Sequence, residues 1–268
     1  MTGLQRFGLD GDPLASFERN LRELRAAGRI DEALKLIERT QIETSLQAFE
    51  CHYARKDYDS CAAALQGLPD SAKVLSRMIY LYAHAPEYRD EAALLSAAQQ
   101  LGYDSPHVVA ALALSACQEG SIISAEDVYQ KADAILAHRD LQYATVYDAY
   151  LLLSCGRLAS AQKDFDRALN FLDRARIAYP QGCYHVQHAE IHMARADVFE
   201  AKGDKGSASN AVGQAIIQLT LQSNSQSTDT TSKVMLGQAL ARYKALEASR
   251  LGDLIIPSFE RAVLGDTP

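Results

Sequence analysis

Apolar positions along the chain recur three and four residues apart, with no sustained two-residue alternation over the length of a strand. In "AQKDFDRALNFLDRARIAYP", Ala161 to Pro180, the residues Phe165, Ala168, Leu172 and Ala175 fall on one helical face. Charged side chains occupy the other face and a proline closes the run. "LRELRAAGRIDEALKLIERT" and "HMARADVFEAKGDKGSASNAVGQAIIQL" keep the same period and draw on alanine and leucine, both strong helix formers. The pattern predicts an all-α chain.

The face recurs with the same residue sizes at the same offsets. "GSIISAEDVYQKA" sets Gly120, Ile122, Ala125, Tyr129 and Ala132 in the register of Lys163, Phe165, Ala168, Leu172 and Ala175. "GDKGSASNAVGQA" repeats it with Gly203, Ala208, Val212 and Ala215, and earlier copies hold Gly28, Ile30, Ala33 and Ile37, then Lys56, Tyr58, Cys61 and Leu65. Tyr88 and Ala92 follow the same register more loosely. Each copy reads as a helical hairpin, in which a small residue lets two helices approach and a large one a turn later fills the gap. The intervals between Ala33, Cys61, Ala92, Ala125, Ala168 and Ala208 are 28, 31, 33, 43 and 40 residues, so the hairpins lengthen along the chain. The expected organisation is an N-terminal tail over 1–13, a repeat array over 14–221, a polar loop "QSNSQSTDTTS" over 222–232 and a closing hairpin over 233–268. Pro257 is expected to open or kink the terminal helix.

The fifth copy, with Leu152, Cys155, Gly156 and Ala159 followed by Ala168, Leu172, Ala175 and Pro180, resembles the tetratricopeptide repeat. The offsets from Gly156 to Ala168 and on to Pro180 match that family, while Leu152 and Ala159 stand where it usually carries aromatic residues. The resemblance implies a right-handed α-α superhelix, a solenoid of about six to seven hairpins, whose concave face is formed by the first helix of each. That face would hold a peptide or helix of a partner protein. The family's partner-facing positions fall here on Arg77, Tyr80, His84, Arg157, Asp197 and Glu200, a groove more basic early and acidic later. Glu18 and Arg22 stand where members that grip the carboxylate tails of chaperones carry asparagine and lysine, which argues against that ligand.

Composition narrows the picture without redirecting it. A formal charge of -7 and a pI near 5.5, with Arg22, Arg25 and Arg29 interleaved among Glu18, Glu23, Asp31 and Glu32, argue against a nucleic-acid or anionic-lipid footprint. The five cysteines, at 51, 61, 117, 155 and 183, form no paired spacing, so neither a disulfide framework nor a zinc ribbon is expected. "MTGLQRFGLDGDPLAS" lacks a signal-type apolar core, and "PHVVAALALSACQ" falls short of a bilayer span. No membrane insertion is expected, and a cytoplasmic location follows from the unpaired thiols.

Candidate chemistry is sparse. "GDKGSASNAVG" lacks the preceding strand and the lysine-serine pair of a phosphate loop, and no nucleophile or metalloprotease motif is present. In "CYHVQHAEIHMAR", His185, His188 and His192 stack along one helix face with Cys183 just before them, a pattern open to zinc chelation, pH sensing or plain packing. In the repeat register His192 takes the packing place of Leu152, which favours packing. The expected function is a non-catalytic protein-protein interaction module with no cofactor and no catalytic residue. The alternatives are a peptide-sensing regulator that closes on its ligand and a metal or enzymatic site on the histidine helix. The pattern is compatible with a monomer and with a subunit of a larger complex.

Overall fold

The computed structural model describes residues 13–26, 29–40, 44–69, 71–88, 90–137, 139–179, 184–225 and 230–264. Among these residues there are thirteen α-helices and no strand, so the chain is all-α. The helices follow as α1 (Pro13–Ala26) and α2 (Ile30–Glu38), α3 (Ser45–Ala54) and α4 (Tyr58–Leu65), and α5 (Ala72–His84) and α6 (Glu91–Leu101). Then come α7 (Pro106–Ala116) and α8 (Ala125–Leu136), α9 (Val146–Ala161) and α10 (Phe165–Ala178), and α11 (His185–Ala201), α12 (Lys205–Ser225) and α13 (Thr230–Leu264). Consecutive helices pack on each other, and each odd-numbered helix from α3 to α9 also touches the next odd-numbered one. None of the described helices is long and apolar enough to cross a membrane.

Short polar turns set where the second helices begin. Asp57, Asp90, Ser124 and Asp164 cap α4, α6, α8 and α10, each accepting the backbone N–H three residues on, and Asp204 does the same for Ser207 at the start of α12. Such caps satisfy donors that the first helical turn leaves unpaired. Four residues after each cap come Cys61, Leu94, Val128, Ala168 and Ala208, all wedged between helices with at most 1% of their surface exposed.

This register corrects two expected positions. Ala92 is exposed and Ala125 only half-buried, and the close-packing places belong to Leu94 and Val128. The reason is local: the carboxylate of Glu91 accepts the Ser121 hydroxyl and the Ile122 N–H, both at 2.7 Å, holding 121–123 as a loop outside α8 and leaving Ile122 exposed. With Leu94 and Val128 in place the intervals become 28, 33, 34, 40 and 40 residues, still lengthening along the chain.

Helix α7 is buried from Val108 to Ala116, because α5, α6, α8 and α9 all pack against it. That environment explains an apolar run with no polar face. α9 is similarly enclosed. At Gly156 a Cβ would come within 2.8 Å of Leu172 in α10, so the absence of a side chain there sets how closely α9 and α10 approach. A separate apolar cluster joins α11, α12 and α13 through Ala189, Ala208, Val212, Leu219 and Ala239.

The C-terminal end differs from expectation. α12 runs to Ser225 and α13 begins at Thr230, so most of the expected polar loop is helix, and one helix passing through Pro257 replaces the closing pair. Once a helix is established, extending it over glutamine, serine and asparagine costs only about half a kcal/mol per residue, which weak propensity does not prevent. Of the N-terminal tail only Pro13 is described, as the first residue of α1; Gly28, Pro180 and Cys183 also lie outside the described residues.

Candidate functional site

A cleft of about 690 Å³ lies between α3, α5 and the N-terminal turns of α7 and α9. α3 contributes Phe49 and Tyr53 four residues apart, with Glu50 beside them; α5 contributes Arg77 and Tyr80 three residues apart, so each pair shares a helix face. His107 sits in the first turn of α7, where its Nδ1 lies 2.7 Å from the hydroxyl of Ser105. At α9, Thr145 and Asp148 form a reciprocal capping box. The fully buried Asp148 carboxylate also receives the guanidinium of Arg139 at 2.7 Å, drawing Arg139 to the cleft rim beside Tyr147.

The aromatic rings make a continuous wall. Phe49 stacks on Tyr53 at 5.8 Å, Tyr53 meets Tyr80 at 5.8 Å, and Tyr80 stacks on His107 at 6.0 Å. His107 in turn meets Tyr147 at 6.0 Å, and Tyr150 closes on Tyr80 from behind at 6.3 Å. Pairs in this range prefer offset or edge-on geometry and rigidify one another. Burial, chiefly, drives the Tyr53, Tyr80 and Tyr150 phenols well above the ordinary tyrosine range. Burial and the nearby Arg77 push His107 below the ordinary histidine value. At neutral pH these groups are therefore uncharged hydrogen-bonding surfaces.

Charge enters at the floor. Glu50 accepts guanidinium groups from two other helices, Arg25 of α1 and Arg77 of α5, one on each carboxylate oxygen. The same three side chains line a second concavity of about 290 Å³, in which Glu18, Arg22 and Lys73 also take part, so the two hollows adjoin at this ion-pair cluster.

Of the partner-facing residues named from sequence, Arg77 and Tyr80 come together in this groove. Arg157 on α9 lies outside it, 3.8 Å from Glu190 of α11. Asp197 and Glu200 are held by Arg242 of α13 at 2.7 and 2.6 Å, so they anchor the last helix and the groove does not turn acidic through them. The His84 side chain lies outside the described residues. Sequence reasoning missed Glu50, Tyr53, His107 and Tyr147. Tyrosine at a turn's spacing from phenylalanine in α3, and from arginine in α5, was the available signal.

The three clustered histidines diverge. His185 pairs with Gln218 of α12 at 2.8 Å, His188 packs edge-on against Tyr179, and His192 is buried near Arg195. Burial first, then Arg195 and His188, lower the His192 pKa to about 4. Among the described residues no three histidine, cysteine or carboxylate side chains converge as a metal site. Burial likewise pushes the Cys61 and Cys155 thiols up to about 12 and Cys117 to about 11, away from nucleophilic reactivity.

No protein-family model matches the chain, and no curated protein matches it.

Proposed function

We propose that this chain is a non-catalytic interaction module, an adaptor or scaffold that holds a peptide or helix of a partner protein in the Arg77–Tyr80 groove. In this reading the odd-numbered helices, which from α3 to α11 each touch the next, form the inner layer of a tetratricopeptide-like superhelix and the even-numbered helices its outer layer. One observation carries the reading: side chains from α3, α5, α7 and α9, far apart in sequence, converge on one cleft as a pre-packed aromatic wall. Rings already fixed by their neighbours lose little freedom when a ligand arrives, which favours binding. The titratable groups of that wall are shifted away from neutrality, a direction that suits holding a ligand better than exchanging protons with it. The alternative of a ligand-closed regulator gains no specific support: of the polar segment 222–232, residues 222–225 and 230–232 are helix.

Selection of peptides from a random dodecapeptide display library against the full chain tests the proposal. Enriched peptides should bind the wild-type chain and lose at least about tenfold in affinity to Tyr80→Ala, which removes the ring at the centre of the wall. No enrichment, or binding indifferent to Tyr80→Ala, overturns it.

A further inference from the structure

We propose that the groove selects an acidic peptide segment, and that Glu50, which in the free protein bridges Arg25 and Arg77, gives up one of these arginines to the incoming carboxylate. The inference rests on the binding reading above and adds the chemistry of the occupant.

Local charge is the first support. Across the two adjoining hollows the lining cations are Arg22, Arg25, Lys73, Arg77 and Arg139, against the carboxylates of Glu18 and Glu50. Arg139 is committed to Asp148, which still leaves four cations facing two anions on a chain whose overall charge is -7. Such a concentration of one sign in a concavity focuses potential and attracts the opposite sign.

The geometry at the floor is the second support. Two guanidinium groups share the single carboxylate of Glu50, so among the described residues one unit of positive charge there has no carboxylate of its own. Burial and repulsion from Arg25 both lower the Arg77 pKa, the direction expected where a cation lacks full compensation. A guanidinium can hold a carboxylate through two parallel N–H donors, so a second carboxylate would give each arginine its own partner.

The balance of donors and acceptors is the third. The Tyr80 phenol stays protonated, and with the guanidinium groups it makes the floor rich in N–H and O–H donors, with Glu50 as its central acceptor. An acceptor-rich strand with aspartate or glutamate side chains complements such a surface; a lysine-rich one meets repulsion. Phe49, Tyr53, Ala54 and Pro106 form the adjoining apolar wall, so the segment carries an apolar or aromatic residue beside its carboxylate. A peptide fits this confined patch better than nucleic acid, whose evenly charged backbone calls for an extended basic stripe.

The library selection then discriminates. Enriched peptides should be rich in aspartate and glutamate and bind more weakly as salt rises. Arg77→Gln should weaken them about tenfold or more, while Glu50→Gln, which removes the internal competitor, should tighten them about threefold. These opposite shifts separate the effect from a folding defect, which weakens binding in both variants. Enrichment of neutral or basic peptides, acidic peptides indifferent to both substitutions, or Arg77-dependent binding of an oligothymidylate in preference to peptide overturns this inference and leaves the groove itself standing. Failure to enrich any peptide removes the binding reading as well.

Discussion

Lys163 and Gly203 occupy the same place in two turns, one residue before the capping aspartates Asp164 and Asp204, with left-handed φ values of 61° and 77°. Glycine adopts that conformation freely, whereas a lysine Cβ crowds the following carbonyl. Lys163→Gly is therefore expected to stabilise the chain by about 0.5–1 kcal/mol, and Gly203→Ala to destabilise it by about 1 kcal/mol. Chemical unfolding midpoints at constant slope check both; a destabilised Lys163→Gly contradicts the strain argument.

Gly156→Ala is expected to cost about 1–3 kcal/mol, because the new Cβ would meet the fully buried Leu172 at 2.8 Å and force α9 and α10 apart. Pairing it with Leu172→Ala should recover part of that loss in a double-mutant cycle. Purely additive effects would show that the contact does not set the spacing.

His192 makes stability depend on pH above the carboxylate range. Its folded pKa of about 4 lies below the ordinary value of 6.5, so between these values the unfolded chain binds the extra proton. Stability is fully present above about pH 6.5 and is lost as pH falls toward 4, by up to about 3 kcal/mol from this side chain. His107 acts in the same direction. His192→Leu, matching Leu152 in the equivalent position, should flatten the slope between pH 4 and 6.5 in urea titrations; an unchanged slope places the titration elsewhere.

Arg242 joins α13 to α11 by pairing with both Asp197 and Glu200. The acidic groups are partly exposed, so Arg242→Ala should lower global stability by only about 1 kcal/mol or less. Its effect should instead be local, a rise in amide exchange over the first turns of α13 with α3 to α9 unchanged. Uniform exchange changes would mean that the pairing acts on the whole fold.

The helical period was legible because residues such as Ala168, Leu172 and Ala175 repeat a spacing that no strand can use. The register was legible only where the close-packing residue is small: at Leu94 and Val128 a larger side chain fills that place, and the neighbouring Ala92 and Ala125 drew attention instead. The capping residues Asp57, Asp90, Ser124, Asp164 and Asp204 hold a more constant position and would have fixed the starts of α4, α6, α8, α10 and α12. The groove was only partly legible. Arg77 and Tyr80 share one face of one helix, so local spacing finds them, but their meeting with Glu50, His107 and Tyr147 depends on the angles at which four helices pack. Asp197 and Glu200 read as partner-facing because Arg242 lies more than forty residues downstream, beyond the reach of any local pattern.

The chain has thirteen tyrosines and no tryptophan, so its ultraviolet emission is dominated by phenol rings. Tyr53, Tyr80, Tyr147 and Tyr150 are concentrated around one hollow, where excitation absorbed by one ring can pass to the next before it is emitted. Whatever enters there alters the brightness and polarisation of the protein's own light. The molecule thus carries a label-free optical gauge of occupancy in the wall that would do the holding.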